Sequence, residues 1–324
     1  MIQATVLDKL CSIKIPPLFT VVETVHFVDK FKEICRDNDS ISRIDLDFSQ
    51  TNFMDSSGIG TLVVCQKISQ QHKIKLVLTH VSAPVMMALS LTALDKVFRI
   101  ENPQAEANSP VARQSTAQMM ATHPSINSRT KRLIDIIGAL VGLGITSVLF
   151  VPIAVAITLD NPGPIFFRQE RCSWMGSRFK IWKFRSMVVN AEALKDQVEN
   201  QVSGPLFKNE NDPRITKVGR VLRKLSLDEL PQFWNVLKGE MSLVGTRPPT
   251  PSEMESYEIL QWQRLDVKPG MTGEWQVNGR SSVKSFEDVI KMDLNYQENW
   301  SLAYDIKLII KTFAVIFDRK SGAM

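Results

Sequence analysis

Ile136-Ile-Gly-Ala-Leu-Val-Gly-Leu-Gly-Ile-Thr-Ser-Val-Leu-Phe-Val-Pro-Ile-Ala-Val-Ala-Ile-Thr-Leu159 runs for 24 residues without a charged side chain. A helix of that length rises about 36 Å, enough for the roughly 30 Å hydrocarbon core of a bilayer. Arg129, Lys131 and Arg132 precede the run, and Arg168, Arg171, Arg178, Lys180 and Lys183 follow it. With both flanks basic, the charge bias that orients spanning helices offers no preferred direction. Pro152 stands inside the run, where its ring removes a helical N–H and clashes with the preceding turn. The pattern predicts a re-entrant hydrophobic hairpin over about 133–160, bent at Pro152, with both ends on one membrane face. A kinked spanning helix is the alternative by length alone.

The whole 324-residue chain is 44% hydrophobic, too apolar for a disordered tail and too long for a disulfide mini-protein. Cys11, Cys35, Cys65 and Cys172 show no C-x-x-C spacing, and there are only 4 His, so neither a zinc site nor a disulfide framework is suggested. A reduced, cytosolic setting fits. Residues 1–128 carry 12 basic and 12 acidic side chains, so the whole net charge of +5 falls after them. That favours an anionic partner for the C-terminal part, such as a nucleotide, a lipid phosphate or a membrane surface, and argues against a nucleic-acid footprint.

Met1 to Pro17 holds Asp8, Lys9 and Lys14 and lacks a central apolar stretch, so no secretory signal is expected and the first domain is placed in the cytosol. Ile44–Phe48 and Ile74–Leu78 read as strands, and Val21–Cys35 and Ser57–Gln71 read as helices. Alternation of this kind predicts an α/β unit over 1–102. Residues 103–128, with Pro103, Pro110 and Pro124, read as a linker before a second domain over 129–324.

Asn52-Phe-Met-Asp-Ser-Ser-Gly-Ile-Gly60 follows a strand and opens a helix, with Asp55, Ser56 and Ser57 offering capping oxygens and Gly58 and Gly60 permitting close backbone approach. An ordinary N-cap explains those residues by themselves. The run and its position resemble the STAS (sulfate-transporter and anti-sigma-antagonist) domain family over about residues 5–100. The resemblance implies a small mixed sheet with helices that binds a regulatory protein or kinase and catalyses nothing. It makes Ser57 a candidate phosphorylation position, where a phosphate would meet a favourable helix dipole and an unfavourable Asp55. The family's last helix is expected to be shortened, because the linker begins soon after Ile100.

In the second domain, Ser226-Leu-Asp-Glu-Leu-Pro-Gln-Phe-Trp-Asn-Val-Leu-Lys-Gly239 sets two adjacent acids before an apolar helix that Gly239 ends. Ser226 and Glu229 have capping-box spacing. Pro231 argues against that box, since it would remove a needed hydrogen bond, so the helix is expected to start at Asp228 or later. Both carboxylates would then sit at a helix start, where the ionised form is favoured. An ionised Asp is a nucleophile, and a neighbouring Glu suits a hard cation. Arg214, Lys217, Arg220, Arg223 and Lys224 precede the pair, and Arg247 and Arg280 follow; Arg220, Arg223 and Lys224 are spaced to share a helical face, with a solvated surface the plain reading for Arg220 and Lys224.

Seven motifs then occur in order: Lys131-Arg-Leu-Ile-Asp135, Asn161-Pro-Gly-Pro-Ile-Phe-Phe-Arg-Gln-Glu-Arg171, Phe179-Lys-Ile-Trp-Lys-Phe-Arg-Ser-Met187, Asp212-Pro-Arg-Ile-Thr216, Leu225-Ser-Leu-Asp-Glu-Leu-Pro-Gln232, Lys268-Pro-Gly-Met-Thr-Gly273 and Trp275-Gln-Val-Asn-Gly-Arg280. Over about residues 129–317 they resemble the bacterial sugar transferase family, the monotopic phosphoglycosyl transferases. The resemblance implies a mainly helical α/β membrane domain. It also implies transfer of a sugar 1-phosphate from a UDP-sugar to polyprenyl (undecaprenyl) phosphate, the first membrane step of exopolysaccharide or glycoconjugate assembly, at the cytoplasmic face of a bacterial inner membrane. By the same resemblance Asp228 is the nucleophile that forms a covalent phospho-sugar intermediate and Glu229 the ligand of Mg²⁺. Arg223, Arg247 and Arg280 would hold phosphates, with Lys183 and Arg185 as further candidates for nucleotide or lipid phosphate.

Two positions depart from the family pattern: Val151 stands before Pro152 where Ser is common, and Gly245-Thr-Arg-Pro248 has Thr where Pro often precedes the Arg. Trp300–Phe317 reads as an amphipathic helix, suited equally to a membrane interface or to packing on the domain. Asp45 and Asp47 have the spacing of metal-binding acids but lie on one face of a strand. There is no P-loop and no G-x-G-x-x-G. His26, His72, His80 and His123 form no ligand pair. The competing reading is a membrane-anchored signalling scaffold with an inactive transferase half, and a homo-oligomer is left open.

Overall fold

Period-2 alternation decides the first sheet. In this computed structural model, which describes residues 4–37, 40–101, 123–201, 207, 209, 211–279 and 285–317, the chain divides into two units: 1–122 with 175–177 and 257–266, and the remainder. In the first unit β1 (Ala4–Leu7), β2 (Leu10–Lys14), β3 (Arg43–Asp47), β4 (Lys75–Thr79) and β5 (Arg99–Glu101) form one sheet in that order. The β1–β2 pair is antiparallel and the other pairs are parallel. Parallel neighbours need crossovers. α1 (Val21–Asp37), α2 (Ser56–Gln71) and α3 (Ala83–Leu91) supply them.

Ile44 and Leu46 of β3 are fully buried, with Phe27, Phe31, Ile59 and Leu62 of the helices. The alternate positions face the other way. There Asp45 takes the Arg43 guanidinium at 2.5 Å and Asp47 meets the His80 ring at 3.0 Å. Asp55 caps two helices at once: Oδ1 accepts from the Gly58 N–H at 2.9 Å and Oδ2 from the Val21 N–H at 3.2 Å. A Cβ on Gly58 would come within 2.6 Å of the Phe19 carbonyl oxygen, so only glycine lets the helix start sit there. Ser57 is fully buried, and its hydroxyl has no hydrogen-bond partner among the described residues. A kinase would have to open this helix start to reach it.

The second unit is built around α4 (Arg129–Asp160), a single helix that passes through Pro152. This corrects the expected two-limbed hairpin. Buried Lys131, Asp135, Ala139, Gly142, Ile153, Ala154 and Ile157 lie along one side. The two ends are both tied into this unit. Near the start, Lys131 Nζ donates to Asp305 Oδ2 at 2.6 Å and to the Val244 carbonyl at 3.0 Å. At the end, Asp160 Oδ2 accepts from the Val218 N–H at 2.8 Å. The middle is held too, by Gly142 under the Phe233 ring and by Ile153 and Ile157 packed with Phe184 and Leu222. The other side exposes Leu133, Ile137, Val141, Val148, Val151, Val155 and Leu159. These recur at helical spacing as one apolar stripe along the whole helix. Arg129–Asp160 is long and apolar enough to cross a membrane by length and composition.

The helix is followed by an antiparallel hairpin, β6 (Phe166–Cys172) and β7 (Arg178–Phe184), then α5 (Lys217–Lys224) and α6 (Phe233–Lys238). The parallel pair β8 (Ser242–Val244) and β9 (Gly270–Thr272) and the helices α7 (Phe286–Glu298) and α8 (Leu302–Phe317) complete the unit. α8 both packs and exposes. Asp305 is buried, bound by Lys131 and by the Tyr296 hydroxyl at 2.8 Å, whereas Ile306, Ile310 and Phe313 form an exposed apolar row.

Two boundaries differ from expectation. Residues 103–122 of the expected linker lie outside the described residues, as does any last STAS helix there. The remainder of that linker is ordered within the second unit, where His123 accepts from the Ser125 N–H at 3.2 Å and caps the short helix Pro124–Asn127. Residues 257–266, expected in the second domain, belong to the first unit because Trp262 and Leu265 are buried there.

Candidate active site

The turn that carries the acids is set by what comes before it. Thr216 caps α5 by accepting from the Gly219 N–H at 2.9 Å. A Cβ on Gly219 would lie 1.9 Å from the Ser186 carbonyl oxygen, so this glycine lets the helix cross the chain that leaves β7. The helix ends at Leu225, and Ser226 turns the chain with φ 54 and no side-chain cap bond, so no capping box forms there, as Pro231 predicts. Leu227–Gln232 is one tight 3₁₀ stretch containing Pro231, and the α-helix proper begins at Phe233. Gly239, at φ 81, ends it in the left-handed conformation the sequence anticipates.

Asp228, in the first turn of that stretch, is 6% exposed. Burial pushes its carboxyl up to about 6; Lys183 and Arg223 pull the other way and the Glu229 charge adds to the rise. Glu229 Oε1 accepts from Lys183 Nζ at 2.8 Å. Lys183 is held in place by its strand. The outer edge of β7 is closed by a side chain: Asn235, fully buried, accepts from the Trp182 N–H through Oδ1 at 3.1 Å and donates Nδ2 to the Lys180 carbonyl at 2.8 Å.

A second charged group involves Arg247. Its two terminal nitrogens donate to the two Glu253 oxygens at 2.9 and 3.1 Å, a forked pair. Glu253 is locked by a reciprocal cap with Thr250. Although burial pushes the other way, Arg247 and Arg171 hold its carboxyl below the usual range. Arg171 donates to the Pro248 carbonyl at 2.9 Å and to Gln169 at 2.7 Å. Burial, followed by the Arg247 charge, brings it down to about 10, while Glu253 and Glu229 counteract. The two acids, Lys183, Arg223, Arg171, Arg247 and Glu253 thus act electrostatically on one another in a single connected set.

Arg185 is placed differently. Its guanidinium donates to the Asn161 side chain and carbonyl and to the Pro162 carbonyl, and burial lowers its pKa. It braces the turn after α4, where Gly163 has φ 140 and a Cβ would lie 2.6 Å from an Arg185 nitrogen. Arg280 lies outside the described residues. Pro152 is exposed within α4, away from the acids in sequence. Asn235, Glu253 and Arg171 went unassigned in the sequence: an Asn inside an apolar helix carries no signal, while Thr250 and Glu253 do have capping-box spacing.

No group of three or more His, Cys, Asp or Glu able to hold a metal occurs among the described residues. Glu229, the expected ligand, offers one carboxylate, and Mg²⁺ binds through one or two carboxylates and completes its shell with water and phosphate oxygens.

Asp228 is thus a buried, ionisable carboxylate acted on by cations, in a unit that also holds a long apolar helix. The bacterial sugar transferase family model matches residues 126–319, and the STAS domain model matches residues 2–107. The chain belongs to the bacterial sugar transferase family and carries an N-terminal STAS domain. It is 49% identical over 188 residues to a galactosyl transferase, CpsE, of Streptococcus agalactiae serotype III, covering 57% of this chain and 42% of that protein. It is 42% identical over 204 residues to UDP-glucose:undecaprenyl-phosphate glucose-1-phosphate transferase of Escherichia coli, covering 61% and 42%. The exopolysaccharide production protein ExoY of Rhizobium meliloti is 37% identical over 198 residues, covering 59% of this chain and 87% of its own. The chain spans about two fifths of the length of the first two relatives.

Proposed function

We propose that the second unit transfers a sugar 1-phosphate from a UDP-sugar to polyprenyl phosphate, giving polyprenyl-diphosphate-sugar and UMP. The observation that carries this reading is Asp228: a buried carboxylate whose pKa of about 6 leaves it ionised at neutral pH, with Lys183 and Arg223 close enough to stabilise the charge. A Asp228 oxygen attacks the phosphorus bonded to the sugar, and the bond from that phosphorus to the bridging oxygen breaks. The bridging oxygen leaves with UMP. An oxygen of the lipid phosphate then attacks the acyl phosphate, the bond to Asp228 breaks, and the carboxylate is restored.

Lys183, Arg223, Arg247 and Arg280 are assigned to the diphosphate and lipid phosphate, where fixed positive charge favours the transferring group over water. Mg²⁺, when bound at Glu229, would supply further positive charge to the phosphate oxygens. Arg185 is assigned to shaping the turn that follows α4.

The membrane reading is a one-sided one. A 32-residue helix is about 48 Å long, yet both its ends and its middle are bonded into one unit, and a single apolar stripe runs along the outside. This supports a helix that lies against or dips into one leaflet with both ends on the cytoplasmic face of the inner membrane. The apolar row Ile306, Ile310 and Phe313 on α8 is assigned to the same leaflet. The reaction would begin exopolysaccharide or glycoconjugate assembly, and the STAS domain would receive a regulatory protein or kinase.

Purified full-length protein in nanodiscs, given Mg²⁺, undecaprenyl phosphate and a panel of UDP-sugars, tests the reading. UMP release that needs both the lipid and Asp228, and stops in Asp228→Ala, is the expected result. Release of UDP, or UMP release undiminished in Asp228→Ala, would overturn it.

A further inference from the structure

Residues 257–266 fall inside the stretch that matches the sugar transferase family, yet they belong to the first unit. They are bound there in detail. Ser56 Oγ donates to the Trp262 carbonyl at 2.7 Å and to Asp266 Oδ1 at 2.6 Å, and the Ser56 N–H donates to the same oxygen at 3.1 Å. The Trp262 ring covers Gly60 so closely that a Cβ there would meet it at 2.5 Å. Arg264 is fully buried and donates to the Tyr257 hydroxyl at 2.8 Å. Glycine at 60 costs helix stability, and here it is what makes room for the indole.

The same residues are part of a connection. β8 and β9 are parallel, so the chain between Val244 and Gly270 must cross over from the end of one to the start of the other. That crossover holds Arg247 and Glu253 before residue 257 and Lys268 after residue 266. Its two ends are packed backbone on backbone: a Cβ on Gly245 would lie 2.1 Å from the Lys268 carbonyl oxygen. Little slack remains for one end to shift without the other.

We propose that residues 257–266 are an intrachain strap: the start of α2 in the STAS unit grips a piece of the transferase sequence and thereby sets the conformation of the flanking segments that carry Arg247, Glu253 and Lys268. The helix start at Asp55–Gly60 therefore has an occupant from its own chain, and an external partner reaches it by displacing the strap. The docking stands on its own contacts, whether or not the catalytic reading holds.

Hydrogen–deuterium exchange of the full chain in nanodiscs tests this without any turnover. Gly60→Ala improves intrinsic helix propensity, so any loosening it causes comes from the collision with Trp262. Asp266→Lys removes the acceptor for Ser56, whereas Asp266→Asn keeps one. In Gly60→Ala and Asp266→Lys, amides of 257–266 and of 56–61 should exchange at least about tenfold faster, with 247–256 and 267–272 following. Asp266→Asn should keep wild-type protection, and 227–238 should be unchanged in all three. Unchanged protection of 257–266 in either disruptive variant would overturn the docking. Faster exchange there, with 247–256 and 267–272 unmoved, would overturn its hold on the site.

Discussion

Asp228→Asn should make the protein more stable as it destroys activity, and the gain should depend on pH in a defined direction. The folded carboxyl titrates at about 6, against 3.8 for the ordinary side chain. At 1.36 kcal/mol per unit, that difference amounts to about 3 kcal/mol. Because the folded state holds the proton more tightly, stability is unaffected below about pH 4, where both states are protonated. It falls as pH rises from about 4 to 6, and the loss is complete above that. Asparagine does not titrate. The stability of the variant relative to wild type should therefore rise by up to about 3 kcal/mol across that window and then level off, raising Tm on the order of 6–12 °C for a unit of this size. Thermal unfolding by tryptophan fluorescence in nanodiscs, in chelated buffer at pH 4.5, 6 and 8, reads it directly. A wild-type-to-variant difference that is the same at all three values would refute the assignment of the raised pKa to Asp228.

The remaining expectations concern the supports of the site. Lys183→Met removes the strongest influence holding the Asp228 pKa down, so the acid limb of the pH profile for UMP release should move upward from about 6 by roughly one unit; an unmoved limb would count against Lys183 as that influence. Gly219→Ala should cost about 3 kcal/mol or more, because its Cβ has only 1.9 Å to the Ser186 oxygen, whereas Gly144→Ala, with nothing within 4 Å, should be tolerated; equal melting temperatures would show that the chain crossing at Ser186 is not tight. Lys131→Ala strands the buried Asp305 carboxylate and should cost about 3–5 kcal/mol. Lys131→Met with Asp305→Leu should recover most of that loss in the same melting assay.

What the sequence shows and what it hides follows from the range of the forces involved. β3 was readable because alternation sends Ile44 and Leu46 inward and Asp45 and Asp47 outward, a purely local pattern. Gly58 and Gly60 were legible as points of close approach, although not what approaches them. Pro152 suggested a break, and the structure keeps the helix continuous: packing of Ile153, Ala154 and Ile157 on one side outweighs one missing hydrogen bond. The 3₁₀ geometry at 227–232 was hidden because an αL residue at Ser226 has no side-chain signature. Asp228 and Glu229 stood out through adjacency and surrounding charge, but the assignment of Arg185 to the turn at Asn161 and of residues 257–266 to the first unit depends on contacts between distant positions. No local pattern records those.

The Asn235 amide against β7 has a further consequence, for what the hairpin does not do. A two-stranded ribbon normally leaves two open edges, each able to recruit an extended chain from another molecule. On β7 the carbonyl and N–H that such a chain would need, at Lys180 and Trp182, are already taken by one side-chain amide that imitates a neighbouring peptide group. On the membrane surface that the proposed function requires, copies of the chain would meet often, and this single residue removes one place where they could aggregate by strand addition.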